Sequence, residues 1–386
     1  WVGLDRDYYG LGISYSTKSK VLGKETAWIV GFDFDKSTEV NQAGSSTNGE
    51  KTSTLTRNED RLAQNRDFYA QASMQLNEKW SMLGGARSTE VKLSSSGLGG
   101  YSGAPVGSLG DVSFNATNPV LGLTFHAQDN MNIYANYGRG VETPTLAEMS
   151  YDSSLNNTFN TNLKASKSDH YEAGIKWLPN NRSRLDLAAF YVKSSDEIIT
   201  ATSSSGKTAF TNSPGGTTRK GLELAYQNQF MPAMKFNFTG TLIDAEFNDG
   251  FTYSSFGTKT VSAGNKIPGI PNGMMLSSLQ WSSTDFKRNK YRQILGTLAT
   301  LEWFAAGELH GRDTNDQIYK AGGYSGYNFR LAHRLDINQI TWTAYGQVNN
   351  LTDKKYIGSV IVGNSTPFEP APGRNWMLGL NATARF

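Results

Sequence analysis

Residues 375–386 read NWMLGLNATARF and alternate between two kinds of side chain. The apolar parity carries Trp376, Leu378, Leu380, Ala382, Ala384 and Phe386. The other parity carries Asn375, Met377, Gly379, Asn381, Thr383 and Arg385, which are mostly polar or small. A period of two with one apolar parity is typical of a β-strand whose two faces meet different surroundings.

The same alternation recurs along the rest of the chain. Further apolar parities are Tyr9, Leu11, Ile13 and Tyr15; Phe68, Ala70, Ala72, Met74 and Leu76; Tyr171, Ala173, Ile175 and Trp177; Leu222, Leu224 and Tyr226; and Ile340, Trp342, Ala344 and Val348. About fifteen such segments centre near residues 12, 31, 72, 84, 122, 135, 173, 188, 224, 239, 278, 297, 330, 344 and 381. The sequence therefore predicts an all-β, antiparallel fold.

The composition excludes several classes of protein. The 386 residues include 37 Lys and Arg and 34 Asp and Glu, a net charge of only +3. This near-neutral charge argues against non-specific nucleic-acid binding. Cysteine is absent, so a disulfide scaffold, a thiolate metal site and a cysteine nucleophile are excluded. No run approaches the roughly 18 apolar residues of a membrane helix. Aromatic residues make up 12%, the opposite of a disordered composition.

The connections distinguish a soluble sandwich from a transmembrane barrel, since both architectures produce this alternation. Short connections are predicted at residues 77–78, 128–130, 179–182, 231–233 and 338–339, and long ones at about 36–66, 93–115, 140–167, 194–217, 247–272, 304–324 and 352–374. Outer-membrane barrels alternate short and long connections in this way. Aromatic residues beside the short turns, namely Trp80, Trp177, Phe230, Trp281 and Phe386, suit an interfacial belt. We therefore expect the apolar parity to face lipid and the polar parity to face a wet lumen.

The strand count is odd, whereas single-chain bacterial barrels have even counts. An open sheet would leave unpaired backbone groups in hydrocarbon, at several kcal/mol each. We therefore expect residues 1–386 to be part of a larger barrel.

Four motifs carry a family resemblance. They are YANYGRGVETPTLAE at residues 134–148, NLKASKSDHYEAGIK at 162–176, NSPGGTTRKGLE at 212–223, and VNNLTDKKY at 348–356 followed by PGR at 372–374. In this order and spacing they resemble TonB-dependent outer-membrane receptors, although Ala165-Ser166 replaces a common Pro-Glu. Within that family, GSVIVG at 358–363 and FEPAPGRNW at 368–376 are similar to a subgroup that includes the receptor for pyrroloquinoline quinone.

The resemblance implies active uptake of a scarce ligand, foremost a ferric siderophore, across the outer membrane of a Gram-negative bacterium. It implies a barrel of about 22 strands, of which residues 1–386 would be the C-terminal part, without the N-terminal plug. It further implies a monomer in outer-membrane lipid, coupled to TonB-ExbB-ExbD through the N-terminal part. The alternatives are a receptor for a non-iron molecule such as pyrroloquinoline quinone, and a passive porin-like channel with an inward-folded constriction loop.

Candidate ligand-binding residues lie near the predicted loops. Arg139 and Arg219 are expected in the lumen, where they either bind an anionic ligand or pair with neighbouring strands. The loop aromatics Tyr151, Phe210, Tyr324 and Phe368 either stack on a flat ligand or pack on one another. Glu142 and Glu148 are also candidates, but they flank the Thr143-Pro144 turn and better suit ordering of that loop than metal binding.

No metal, cofactor or catalytic site is predicted. The four histidines lie in four different segments without metal-ligand spacing. The sequence has no nucleophile elbow, HExxH motif or P-loop, so an enzyme is not expected.

Overall fold

A computed structural model of the chain describes residues 1–99, 107–152, 159–204, 207–254, 258–283, 295–362 and 366–384. These residues are almost entirely β-strand, with two single-turn 3-10 helices at Glu148–Ser150 and Gln317–Tyr319. Among the described residues, no helix has the length and apolar character needed to cross a bilayer.

The strands vary from long ladders to two-residue pieces. In chain order they are β1 (Val2–Val21), β2 (Lys24–Thr47), β3 (Glu50–Asn77), β4 (Trp80–Gly99), β5 (Gly107–Gln128), β6 (Met131–Glu142), β7 (Ser166–Asn180), β8 (Ser183–Ser195), β9 (Ile198–Ser204), β10 (Lys207–Asn212), β11 (Thr217–Met231), β12 (Met234–Phe247), β13 (Phe251–Ser254), β14 (Thr258–Val261), β15 (Gly273–Ser282), β16 (Gly296–Ala306), β17 (Leu309–His310), β18 (Lys320–Ala321), β19 (Tyr324–Ile337), β20 (Ile340–Asn349), β21 (Ile357–Val360), β22 (Phe368–Pro370) and β23 (Asn375–Ala384).

Fifteen of these strands form one antiparallel sheet. The order is β1-β2-β3-β4-β5-β6-β7-β8-β11-β12-β15-β16-β19-β20-β23, and each predicted centre lies within one of them. The all-β prediction and the strand count are therefore confirmed. Within the described residues the two edge strands, β1 and β23, do not pair with each other.

The register gives the sheet two chemically different faces. Directly opposed residues share a face, and rows such as Tyr137, Tyr171 and Tyr191 or Leu222 and Leu242 continue the apolar parity across strands. We call this side the apolar face and the opposite side the polar face. Ile13 is 61% exposed and Leu242 is 65% exposed, so these side chains are not buried between stacked layers. This exposure is typical of a membrane-spanning barrel and excludes a sandwich core.

On the polar face, aromatic rings lie over glycines of the neighbouring strand. The directly opposed pairs are Tyr69 with Gly31, Tyr134 with Gly174, Phe190 with Gly221, Phe304 with Gly326, and Tyr345 with Gly379. A Cβ atom at each glycine would collide with its ring. Glycine therefore leaves the space into which the ring folds, and such pairs help to fix the register of the sheet.

The predicted long connection at residues 36–66 was wrong. β2 continues to Thr47 and β3 begins at Glu50, joined by a tight turn in which Asn48 and Gly49 have φ of 51° and 84°. The connection at 93–115 is also shorter than expected, because β4 reaches Gly99. Both errors have one cause. Beyond the hydrocarbon both faces of a strand meet water, so the apolar period disappears although the pairing continues.

Candidate functional site

The connection after β6 folds onto the polar face of β3–β5. Its Met149, Phe159 and Leu163 are buried and pack with Leu93 of β4. Leu93 belongs to the polar parity of its strand, which is locally apolar where this connection covers it. The sheet and the loop thus enclose a small hydrophobic cluster within the wet face.

A capping box begins the turn of this connection. The Glu148 carboxylate accepts hydrogen bonds from the Thr145 backbone N–H at 2.7 Å and from the Thr145 hydroxyl at 2.9 Å. In return, the Glu148 N–H donates to the Thr145 hydroxyl at 3.2 Å. This reciprocal arrangement satisfies donors at the start of a helical turn. The Glu148 carboxylate is thus committed to ordering the loop, which disfavours a role for it in ligand binding.

A buried chain of ion pairs lies on the polar face beneath the same turn. Arg6, Glu39 and Arg61 are directly opposed on β1, β2 and β3. Arg6 Nε donates to Glu39 Oε2 at 2.9 Å, and Arg61 Nη1 lies 3.7 Å from Glu39 Oε1. Along β3, Arg61 and Arg57 both pair with Glu59, the latter at 3.3 Å. The three central side chains, of Glu39, Glu59 and Arg61, are at most 5% exposed.

Two residues of the turn close this ion-pair chain. Arg61 Nη2 donates to the Ser150 hydroxyl at 3.1 Å, and Arg57 Nη2 donates to the Tyr151 hydroxyl at 3.2 Å. Arg57 and Lys207 also make cation–π contacts with the Tyr151 ring, with Arg57 Cζ and Lys207 Nζ each 5.4 Å from its centroid. Tyr151 therefore joins the loop, β3 and β10 through charge-assisted contacts.

Phe210 of β10 packs against the Met149 cluster. The structure thus brings Glu148, Tyr151 and Phe210 together, as parts of one loop cluster over β3–β5. The charges beneath it were not predicted from the sequence. Their signal was the alternation RNEDR at residues 57–61, where opposite charges two residues apart share one strand face.

Arg219 of β11 lies on the polar face, as expected. Its Nη1 donates to Glu197 Oε1 at 2.6 Å and to the Thr217 hydroxyl at 2.8 Å. Nearby, Asn212 fixes two loops: its amide nitrogen donates to the Lys164 carbonyl at 2.9 Å and to the Asp196 carbonyl at 2.6 Å. The NSPGG segment at residues 212–216 therefore holds these two loops together beside Arg219.

The expected lumen position of Arg139 was wrong. Arg139 shares its parity with Tyr137, and both lie on the apolar face. Its Nε donates to Asp169 Oδ1 at 2.9 Å, and the Tyr137 hydroxyl donates to the same oxygen at 2.8 Å. Arg139 lies two residues beyond Tyr137 on the same face of β6. The strand there leaves the membrane-spanning part of the sheet, and charged residues occur on both of its faces. Glu142 is exposed on the polar parity at the end of β6.

A third cluster surrounds the connection after β20. The rings of Tyr324 and Tyr356 stack with centroids 4.0 Å apart, and Phe304 contacts both. Beside them a cleft of about 640 Å³ is lined by Tyr324, Tyr356, Lys354 and Lys355 among others. Both lysines are exposed and Asp353 also lines the cleft, so the cleft combines aromatic surface with a net positive charge.

The NNLTDKKY motif builds one wall of this cleft. Asn350, at φ 51°, accepts the Lys354 N–H at 2.8 Å with its side-chain oxygen and donates to the Lys354 carbonyl at 2.9 Å. Asp353 Oδ1 accepts the Arg374 N–H at 2.7 Å, which ties the turn to the PGR segment. Phe368 begins the short strand β22, pairs with Val360 of β21 and is half-buried against the loop.

A fourth loop cluster holds a half-buried acid. Asp313 accepts a hydrogen bond from the Tyr253 hydroxyl at 2.7 Å, and Asn265 donates to the Asp313 carbonyl at 2.8 Å. Burial raises the pKa of the Asp313 carboxyl, although its bond to Tyr253 acts in the opposite direction. Burial and the bond to Asp313 also raise the pKa of the Tyr253 phenol. Within the described ranges, no group of three or more metal-ligating side chains is found.

The comparisons with known proteins agree with this geometry. A family model described as "TonB dependent receptor-like, beta-barrel" matches residues 2–351. The chain is similar to the siderophore receptor PiuA from Acinetobacter baumannii (15% identity, TM-score 0.76, covering 98% of this chain and 56% of that one). It is similar to the ferric yersiniabactin uptake receptor FyuA from Yersinia pestis (18% identity, TM-score 0.69, covering 99% and 54%). It is also similar to the copper transporter OprC (15% identity, TM-score 0.74, covering 99% and 57%). The chain thus spans about half the length of these structures.

Proposed function

The chain belongs to the TonB-dependent receptor family of outer-membrane β-barrels, and we propose that it is the C-terminal barrel part of a receptor that imports a ferric siderophore. The family is one of receptors and transporters rather than enzymes, and its members lie in the outer membrane of Gram-negative bacteria. In this proposal a plug and further strands complete the barrel as a monomer, and TonB-ExbB-ExbD energises release of the ligand through the plug.

The cleft beside Tyr324 and Tyr356 is the observation that carries the choice of ligand. Ferric siderophores are commonly anionic, and many present flat aromatic or conjugated groups to the metal. The half-buried rings of Tyr324 and Tyr356 present aromatic surface that suits stacking on such a group, and the two exposed lysines outnumber Asp353 in the lining and so complement its charge. Arg219, about one-quarter exposed beside its Glu197 partner, is a second cation on the polar face.

A flat tricarboxylate such as pyrroloquinoline quinone would satisfy the same cleft chemistry, and we retain it as the alternative ligand. The inward-folded connection after β6 favours a second alternative, a passive channel, because such a loop narrows a porin. A passive channel would admit its solute without energy coupling, whereas a receptor would need the TonB complex.

The test uses the intact protein in its own bacterium, starved of iron, with uptake of radiolabelled ferric siderophores as the readout. We expect saturable uptake that is lost when TonB is deleted. The triple substitution Tyr356→Ala, Lys354→Gln and Lys355→Gln is expected to weaken ligand binding at least tenfold, while Lys79→Gln at a short turn leaves it unchanged. Uptake of pyrroloquinoline quinone but of no iron complex would replace the ligand, and uptake independent of TonB would refute the receptor.

A further inference from the structure

A serine, a histidine and an asparagine are joined by hydrogen bonds across three strands of the polar face. Ser81 is on β4, His126 on β5 and Asn132 on β6, close to the short turns that connect these strands to their neighbours. Ser81 Oγ lies 3.0 Å from His126 Nε2, and His126 Nδ1 lies 2.8 Å from Asn132 Oδ1. All three residues are half-buried, so water and small solutes on the polar face can reach them.

The two hydrogen bonds determine which ring nitrogen of His126 carries the hydrogen. The amide oxygen of Asn132 can only accept, so His126 Nδ1 carries the hydrogen and donates it. His126 Nε2 is then unprotonated and accepts the hydrogen of the Ser81 hydroxyl. A serine that donates to an imidazole held in one tautomer by a third group has the arrangement of an activated nucleophile. Asn132 acts through His126 and is therefore a positioning residue.

Two further polar side chains flank Ser81 in its own row. Gln75 of β3 and Thr124 of β5 are directly opposite Ser81 and share its face. Cβ atoms of directly opposed residues are about 4.5–5.5 Å apart, so both side chains can reach an oxygen atom held beside Ser81 Oγ. The Gln75 amide nitrogen donates one hydrogen to the Asn77 carbonyl at 2.6 Å and keeps a second. This second hydrogen and the Thr124 hydroxyl can stabilise a developing oxyanion.

Another serine–histidine pair on the polar face provides an internal comparison. Ser168 Oγ and His170 Nε2 lie 2.7 Å apart on β7. Among the residues that the structure describes, none forms a hydrogen bond with His170 Nδ1. Ser168 therefore has a base within reach, but no third group fixes the tautomer and orientation of that base.

We propose that Ser81 is a nucleophile that takes an acyl group from a carboxylic ester, with His126 as its general base. Ser81 Oγ attacks the carbonyl carbon, and its proton passes to His126 Nε2. The bond between that carbon and the oxygen of the leaving alcohol then breaks, and His126 returns the proton to that oxygen. Water hydrolyses the acyl-serine by the same steps, which releases the carboxylic acid and restores Ser81. This esterase activity is separate from import and does not depend on which ligand is imported.

The experiment treats the detergent-purified intact protein with a fluorophosphonate probe and, separately, with p-nitrophenyl acetate. The probe forms a bond from phosphorus to the oxygen of an activated serine and loses fluoride, and mass spectrometry of the digested protein locates the adduct. General-base catalysis contributes about 10²–10⁴-fold, so Ser81 is expected to be labelled at least about 100-fold faster than Ser168. Release of p-nitrophenol should fall to the uncatalysed rate in Ser81→Ala and stay unchanged in the matched control Ser168→Ala.

Two substitutions test the positioning role of Asn132. Asn132→Leu removes the acceptor of the Nδ1 hydrogen and is expected to lower kcat for the ester at least about 100-fold with little change in KM. Asn132→Asp keeps an acceptor oxygen in the same place and should retain the activity. Equal kcat values for these two variants would show that Asn132 does not orient the base and would overturn its role.

Two results would overturn the proposal as a whole. One is labelling of Ser81 no faster than that of Ser168 in the unsubstituted protein, a measurement that needs no variant to fold. The other is ester hydrolysis that Ser81→Ala leaves intact. Neither result bears on import, which is measured by uptake in cells.

Discussion

Arg61→Met should be the most destabilising single change in the ion-pair chain under the loop turn. It removes the guanidinium that lies between Glu39 and Glu59, whose side chains are 4% and 3% exposed. Each carboxylate keeps one other arginine, but both lose a partner at a site where their side chains are almost fully buried. Breaking a buried ion pair from one side costs about 3–5 kcal/mol, and the remaining partners place the expected loss at about 3 kcal/mol.

The chain offers a matched control on the same strand. Arg66 faces Glu90 at 3.6 Å on the opposite face of β3, with both side chains about half exposed. Such an exposed pair contributes about 0–1 kcal/mol, so Arg66→Met should change the free energy of unfolding by less than about 1 kcal/mol.

The assay is equilibrium unfolding by guanidinium of the intact receptor in lipid vesicles, followed by tryptophan fluorescence. A protease digest reports on the connection after β6, which should open first because Arg61 also anchors Ser150. Adding Glu39→Gln and Glu59→Gln to Arg61→Met should restore most of the lost stability, since no buried carboxylate then lacks its partner. Equal effects of Arg61→Met and Arg66→Met would refute the argument that burial decides the energy.

Three further predictions follow from the loops and the register. Thr145→Ala should destabilise the turn by about 1 kcal/mol through loss of its capping hydroxyl, seen as faster proteolysis at residues 145–150, with Glu148→Gln as a milder comparison. The raised pKa of Asp313 means that the folded loop holds its proton more tightly than the unfolded chain. Loop stability should therefore be greatest at low pH and fall as the pH rises through the folded pKa, above the usual 3.8; proteolysis at several pH values measures this, and Asp313→Asn should remove the dependence. Arg139→Ala should leave ligand affinity within about twofold because the side chain lies on the apolar face, and a large loss in an uptake assay would contradict that placement.

The sequence predicted those parts of the fold in which hydrocarbon meets one face of a strand. A strand in lipid must carry apolar side chains on one parity only, so hydrophobicity alternates with a period of two in the sequence of each spanning segment. For this reason all fifteen strands of the sheet were located. For the same reason the strand ends were not predicted where β2 and β3 extend into water, because both faces of each strand are polar there and hydrophobicity no longer alternates.

The candidate site was predicted less completely, because its partners come from distant segments. Tyr151 and Tyr324 were chosen as loop aromatics, but their contacts with Arg57 and Tyr356 depend on how each connection folds back. Glu148 followed from its spacing to Thr145, since a capping box is local in sequence.

The sequence by itself determined the class of fold, the fifteen strands of the main sheet and the parity that faces lipid, because a bilayer imposes its chemistry on every second side chain. Only the tertiary structure decided the pairing of Arg139 with Asp169 and the burial of Glu39, Glu59 and Arg61. Where both sides of a strand are polar, parity carries no chemical signature, and only the register with neighbouring strands fixes which charge meets which.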